Sequence, residues 1–172
     1  MNPLYIVPTP LGNLEDITIR SLNVLKISDL ILCEDTRRTS ILLNHYSIKK
    51  KLVSFNKDNE DKKIDKVLGL LETNIISLVS DAGTPTVSDP GSKLVKKLIE
   101  EDIQVIPLPG PSSITTAFSA SGLDGNFIFA GFLPKNENDL KKNLIDLNQI
   151  KKNIILFESP KRIRKFLEIS RK

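Results

Sequence analysis

The feature that most constrains this chain is a recurring order: a short apolar run, a turn rich in Gly, Pro, Ser, Thr and Asp, then a helix-length segment. The runs fall at residues 4–7, 30–33, 52–55, 75–80 and 105–108. Each is mostly apolar on both faces rather than alternating, which is how a strand buried in a parallel sheet reads. Helices are expected between and after them, at 18–26, 36–46, 62–72, 92–101 and 113–120. The third carries Ile64, Val67, Leu68 and Leu71 at three- and four-residue spacing with Lys and Asp opposite, the pattern of a helix laid on a core. Strand–helix repetition of this kind predicts an α/β layer architecture with a mostly parallel sheet.

The pattern changes near Gly122 and Gly125. Beyond them come a strand at 127–132, a polar helix near 139–147, a strand at 154–157 and a helix from Lys161, with Ser159 as its cap and Pro160 in its first turn. Two strands and two helices are a small basis for an independent domain. The expected division is therefore an N-terminal domain over 1–121 and the start of a second, incomplete α/β domain over 122–172.

Composition narrows the classes. With 172 residues, 40% of them hydrophobic, the chain can bury a real core, and with 5% aromatics and no Trp, that core must be built from Ile, Leu and Val. No export signal is visible at the N-terminus, and no window approaches eighteen uninterrupted apolar residues, so a membrane span is not expected. Lone Cys33 inside an apolar run reads as a small buried hydrophobe in a reducing cytoplasm. One His (His45) and one Cys do not make a zinc site of the usual kind, and no metal is expected. His45 late in a helix reads as a dipole partner.

The net charge of +4 is unevenly placed: residues 1–125 hold 14 Lys/Arg against 16 Asp/Glu, residues 126–172 hold 11 against 5. A basic tail on a near-neutral body fits a polyanionic partner and equally a solvated helix face.

Four turns concentrate residues that carry chemistry, all at the C-terminal ends of expected strands, the edge where open α/β sheets bind ligands. Pro8-Thr9-Pro10-Leu11-Gly12-Asn13 follows the first strand; its single Gly rules out a dinucleotide fingerprint. Glu34-Asp35-Thr36-Arg37-Arg38-Thr39 follows the second, pairing acids suited to hydroxyls or ammonium groups with guanidinium forks suited to phosphate. Ser80-Asp81-Ala82-Gly83-Thr84-Pro85, continuing through Ser88-Asp89-Pro90-Gly91, is the most informative stretch: it offers a carboxylate, amide donors and carbonyl acceptors to a zwitterion. Pro107-Leu108-Pro109-Gly110-Pro111-Ser112-Ser113 opens a helix whose N-terminus favours an anion, or whose serines simply cap it.

Together and in this order, the strings TPLGNLEDIT, EDTRRT, SDAGTP, SDPG, PGPS, GFLP and FESP resemble the 16S ribosomal RNA cytidine 2′-O-methyltransferase I family of the tetrapyrrole-methylase superfamily. The resemblance runs from about residue 3 to the end. It implies a two-domain methylase that binds S-adenosyl-L-methionine and methylates a cytidine ribose in the decoding region of 16S rRNA within the small ribosomal subunit, usually as a homodimer. Carried over by position, Ser80, Asp81, Ala82, Gly83, Thr84 and Pro85 would hold the methionine portion, Pro10 would line the same cleft, and Gly110, Ser112 and Ser113 would approach from the other side. Arg37, Arg38 and Asn59 would meet substrate RNA, and Glu34, Asp35 and Glu60 are the candidate proton acceptors, with Asp81 committed to cofactor. Two features depart from the family: the histidines usual in the segment Asn56-Lys57-Asp58-Asn59-Glu60 are missing, and family members continue well past residue 172. Rival readings are a methylase of the same fold acting on a tetrapyrrole, and a remnant that binds without turning over.

Overall fold

The computed structural model describes residues 1–171 and resolves the chain into two compact units, Met1–Ser113 and Ile114–Lys172. In the first, five strands form one parallel sheet: β1 (Leu4–Ile6), β2 (Leu30–Cys33), β3 (Lys51–Ser54), β4 (Ile76–Leu78) and β5 (Val105–Pro107). Their order across the sheet is β3-β2-β4-β1-β5, with Leu4 opposite both Ile76 and Val105, and Leu30 opposite both Ile76 and Lys51. The strands are shorter than their apolar runs because the chain leaves regular pairing early. The ladder nevertheless continues one residue further: Val7 N–H donates to Leu78 O (2.9 Å), Val79 N–H to Leu32 O (2.9 Å) and Leu108 N–H to Ile6 O (3.0 Å).

Helices cover both faces, and the pleat sorts side chains between them. Leu4, Ile6, Leu30, Leu32, Ile76 and Leu78 pack with Val67 and Leu71 of α3 (Glu60–Leu71) and Leu94 and Leu98 of α4 (Ser92–Glu100). Val7, Ile31, Cys33, Val79 and Leu108 pack with Val24 and Leu25 of α1 (Ile19–Ile27) and Leu42 and Leu43 of α2 (Thr36–His45). All four residues of β2 are buried, as expected for a strand covered on both sides. Thr18 caps α1 by accepting from Ser21 N–H, and Asp35 caps α2 by accepting from Arg37 N–H. A 3-10 turn at Leu14–Asp16 is pinned by Tyr46, whose hydroxyl donates to Leu14 O at 2.7 Å. α5 (Ser113–Ser119) starts at the last residue of this unit.

The second unit pairs β6 (Phe127–Phe132) with β7 (Asn153–Phe157) in parallel, with α6 (Glu137–Gln149) and α7 (Ile163–Ser170) packed through Leu133, Leu140 and Phe166. Asn136 caps α6, accepting from the N–H groups of Asn138 and Asp139. One expectation is corrected here. Ser159 and Pro160 do not open α7; the Ser159 carbonyl accepts from Arg162 and Ile163 N–H (2.9 and 3.1 Å), so the chain makes one preliminary turn before the helix starts at Ile163. Among the described residues, no helix is long and apolar enough to cross a membrane.

Candidate functional site

The sheet order decides which turns meet. β4 lies between β2 and β1, and β1 lies between β4 and β5, so the four chemistry-bearing turns stand side by side along one edge. They are also bonded to one another. Thr9 and Gly83 exchange backbone hydrogen bonds, each N–H donating to the other's carbonyl at 2.9 Å. The Thr9 hydroxyl donates to Ser80 O (3.0 Å), and the Ser80 hydroxyl donates to Gly83 O (3.2 Å). The Thr84 hydroxyl donates to Pro111 O at 3.1 Å, tying the turn after β4 to the one after β5.

Two glycines are required by this convergence. Gly83 has φ +83°, a conformation that side chains disfavour. Gly110 lies so close to the first turn that a Cβ there would come within 2.7 Å of the Pro8 Cβ.

Asp81 sits where the turns after β2 and β4 meet. Its Oδ1 accepts from Asp35 N–H at 3.1 Å, and its Oδ2 lies 3.6 Å from Arg38 Nε. An open cleft of about 290 Å³ lies beside it, walled by Pro10, Leu11 and Gly12 on one side, Ser80, Asp81 and Ala82 on another, and Arg38, Thr39 and Leu42 of α2 on a third. Of the expected cofactor residues, Pro10, Ser80, Asp81 and Ala82 line this cleft. Gly83, Thr84, Pro85, Gly110, Ser112 and Ser113 lie outside its lining, on the adjoining stretch that the Thr84–Pro111 bond closes. Arg38 and Thr39 as cleft walls were not foreseen, because only the path of α2 past Asp81 brings them there.

The three candidate carboxylates prove to have different surroundings. Arg37 donates to both oxygens of Asp35 (Nε 3.0 Å, Nη2 2.7 Å), and these bonds with the capping bond hold its carboxyl down at about 2. A carboxylate so engaged is a weak proton acceptor. Glu60 is buried, 6% exposed, and its Oε2 accepts from Gly91 N–H at 3.0 Å. Glu34 is raised from the ordinary range, first by burial and then by Asp81, against the opposing pull of Lys57 and Arg38. Asp89, unassigned by sequence reasoning, is pushed up to about 6, first by burial and then by the negative charge of Glu34 and Asp81, with Lys57 opposing. Asn59 faces inward: its Oδ1 accepts from Asn56 N–H (3.0 Å) and its Nδ2 approaches Ser54 Oγ (3.4 Å). Arg37 is largely exposed, and Arg38 mostly so.

The sequence model of the tetrapyrrole (corrin/porphyrin) methylases matches residues 3–172. The ribosomal RNA small subunit methyltransferase I of Thermotoga maritima is 52% identical over 177 residues, covering 98% of this chain and 78% of that protein. The chain belongs to the small subunit methyltransferase I family, within the tetrapyrrole methylases. Another member of this methyltransferase I family, from a Hydrogenobaculum species, is 48% identical, covering 96% of this chain and 73% of its own length. The Escherichia coli O157:H7 member is 46% identical over 96% of this chain, which spans 58% of that protein. Solved structures agree on the fold. Diphthine synthase aligns at a TM-score of 0.68 (16% identity; 92% of this chain, 65% of that one). A uroporphyrin-III-C-methyltransferase from Thermus thermophilus aligns at 0.61 (21% identity; 85% and 74%).

Proposed function

We propose that this chain binds S-adenosyl-L-methionine along the edge formed by the turns after β4, β1 and β5, and takes part in 2′-O-methylation of a cytidine ribose in the decoding region of 16S rRNA. The observation that carries the reading is the convergence of Asp81, Gly83 and Gly110 on one sheet edge, in a chain about half identical to proteins named for small subunit rRNA methylation.

The donor set suits the cofactor. Asp81 presents a carboxylate to an ammonium group, and the cleft beside it, about 290 Å³, is at the small end for ligand pockets, the right scale for the amino-acid part of a larger ligand. Ser80, Asp81 and Ala82 would hold that part with Pro10, while Gly83, Thr84, Pro85, Gly110, Ser112 and Ser113 would border the remainder. When bound, the cofactor supplies an electrophilic methyl group, whose transfer to a ribose oxygen forms a C–O bond, returns the C–S electron pair to sulfur and frees one proton.

The chain's own part is to orient the ribose and take up that proton. Glu34 is the candidate acceptor among the three expected, since its carboxyl is raised while Asp35 and Glu60 are engaged elsewhere. Arg37 and Arg38, exposed on the first turn of α2, would hold phosphates flanking the target nucleotide. We further propose that residues 1–121 and 122–172 are a first methylase domain and the beginning of a second, and that the functional protein is a homodimer working in the cytoplasm, where small subunits are.

The test is incubation of the chain with labelled S-adenosyl-L-methionine and small subunits lacking the modification. Label appearing in a cytidine ribose supports the proposal. Cofactor binding without transfer to RNA would point to a remnant, and transfer to a tetrapyrrole instead would move the protein to another branch of the fold.

A further inference from the structure

The site in the first unit gives no role to the strings GFLP and FESP, and the second unit brings them together. β6 and β7 run parallel, so both strings stand at the C-terminal end of one sheet. Arg162 ties them: its Nη2 donates to Pro134 O at 3.1 Å and lies 3.2 Å from Glu158, whose side chain is 3% exposed.

The phenylalanines of the two strings share a face. Ala130 and Leu156 pack with Leu133, Leu140 and Phe166 on the helix side of the sheet. Their neighbours Phe129, Ile155 and Phe157 therefore stand on the other side. Phe132 lies three residues beyond Phe129 and by simple alternation would turn toward the helices. A bulge prevents this. Phe129 is paired with Ile155 and Phe132 with Phe157, three steps along β6 against two along β7, and Gly131 at φ +62° absorbs the extra residue. The rings of Phe129 and Phe157 meet edge to face at 4.8 Å, and those of Phe132 and Phe157 lie 5.4 Å apart. At the start of this face Phe118 of α5 packs on Phe127 at 4.6 Å; at its end Phe132 is 58% exposed.

We propose that the Phe129–Phe157–Phe132 face is a stacking platform for an unpaired base of RNA, with Phe132 as the ring that meets it. A sheet face carrying aromatic rings holds single-stranded RNA because every base has a π-face to lay on them. Charge favours this occupant over a protein. Residues 126–172 hold 11 Lys/Arg against 5 Asp/Glu. Among the described residues the ion pairs of this unit are Lys141–Glu137, Lys165–Glu137 and Arg162–Glu158. Lys135 and Lys161, exposed on the turns that leave β6 and β7, stand outside these pairs and would meet the phosphates flanking a stacked base. The inference rests on the reading that the substrate is rRNA, and gives that substrate a contact to a base in addition to the backbone contacts assigned to Arg37 and Arg38.

The experiment uses the full chain and a short single-stranded pyrimidine RNA, with the same RNA annealed to its complement as the comparison. Phe132→Leu, which keeps an apolar side chain and removes the ring, is expected to weaken binding of the single strand by about fivefold or more. The slope of log affinity against log salt stays as in the wild type, since no cation is lost. Phe132→Trp keeps the ring and, in a chain with no other Trp, supplies its own fluorescent reporter. Its emission should be quenched as the single strand saturates the protein, and much less by the duplex, whose bases are already stacked. Unchanged affinity in Phe132→Leu, or equal quenching by strand and duplex, overturns the proposal. So does quenching by S-adenosyl-L-methionine and not by RNA, which would give the face to the cofactor's adenine, or an emission that changes with protein concentration alone, which would give it to a second copy of the chain. Absence of methyl transfer with these readings as expected would reject the assigned activity and leave the platform standing; transfer without stacking would remove the platform alone.

Discussion

Gly110 shows how much one missing methyl group decides. Its place after β5 is set by the approach of the turn after β1, with Pro8 filling the space a side chain would need. Gly110→Ala is expected to destabilise the fold by about 1–3 kcal/mol through forced displacement of that turn. Urea unfolding reads that loss, and calorimetry with S-adenosyl-L-methionine reads the accompanying loss of affinity. Asp89 is a residue of the opposite kind, whose environment is unfavourable to its charge. Because its folded value is about 6 and its unfolded value near 3.8, the folded state binds the proton more tightly. Stability therefore falls as pH rises from about 4 to about 6, the reverse of an ion-paired carboxylate. Asp89→Asn should raise stability at pH 7 by about 1 kcal/mol, allowing for solvent screening of a half-buried group, and change it little at pH 4. Thermal melts at the two pH values check this. Asp35 behaves in the usual sense: its contribution is present above its unfolded value and lost as pH falls toward about 2.

At the scale of elements, α4 shows how a helix positions a turn it follows. It begins directly after Gly91 and is seated by Leu94 and Leu98, both fully buried against Leu4, Ile76 and Leu78. Leu98→Ala removes that seat and leaves a cavity under the sheet, an expected cost of about 2–5 kcal/mol by denaturant unfolding. The seven strands were readable as mostly apolar runs, and each such run overlaps a strand here, although only β2 and β4 are buried at every position. The error at Ser159 has a local cause. A Ser-Pro pair suits a helix start, yet the Ser159 carbonyl closes a separate turn first, and Arg162 is held by both Pro134 O (3.1 Å) and Glu158 (3.2 Å). Those partners lie on β7's exit and on the chain after β6, beyond the reach of a capping rule.

For the molecule as a whole, the two units differ in the depth of their cores. The first has a buried cluster on each face of its five-stranded sheet; the second has Leu133, Leu140 and Phe166 beneath two strands. Amide hydrogen exchange should accordingly be faster in β6, β7 and α6 than in β1, β2 and β4, and equal protection would contradict the difference in core depth. Charge divides the chain in a similar way, with the excess of Lys and Arg beyond residue 125, while Arg38 stands in the cleft wall and exposed Arg37 precedes it on α2. If that pair meets phosphates, Arg37→Gln with Arg38→Gln should lower the slope of log affinity for rRNA against log salt by about 1.5–2. Filter binding over a range of salt measures it, and an unaltered slope would take both arginines out of the RNA contact.

The local order of the chain determined the strands, the helices, the parallel α/β class and the turns worth watching, because burial on both faces, helical spacing and turn chemistry are properties of neighbouring residues. The motif strings likewise placed the chain in its family. Only the tertiary structure decided that β4 sits at the centre of the sheet with β2 and β1 beside it, that Thr9 bonds to Gly83 and Thr84 to Pro111, and that Glu60 serves Gly91. Strand pairing, burial and the value of a carboxyl group depend on partners tens of residues away, and those distances close only when the sheet forms.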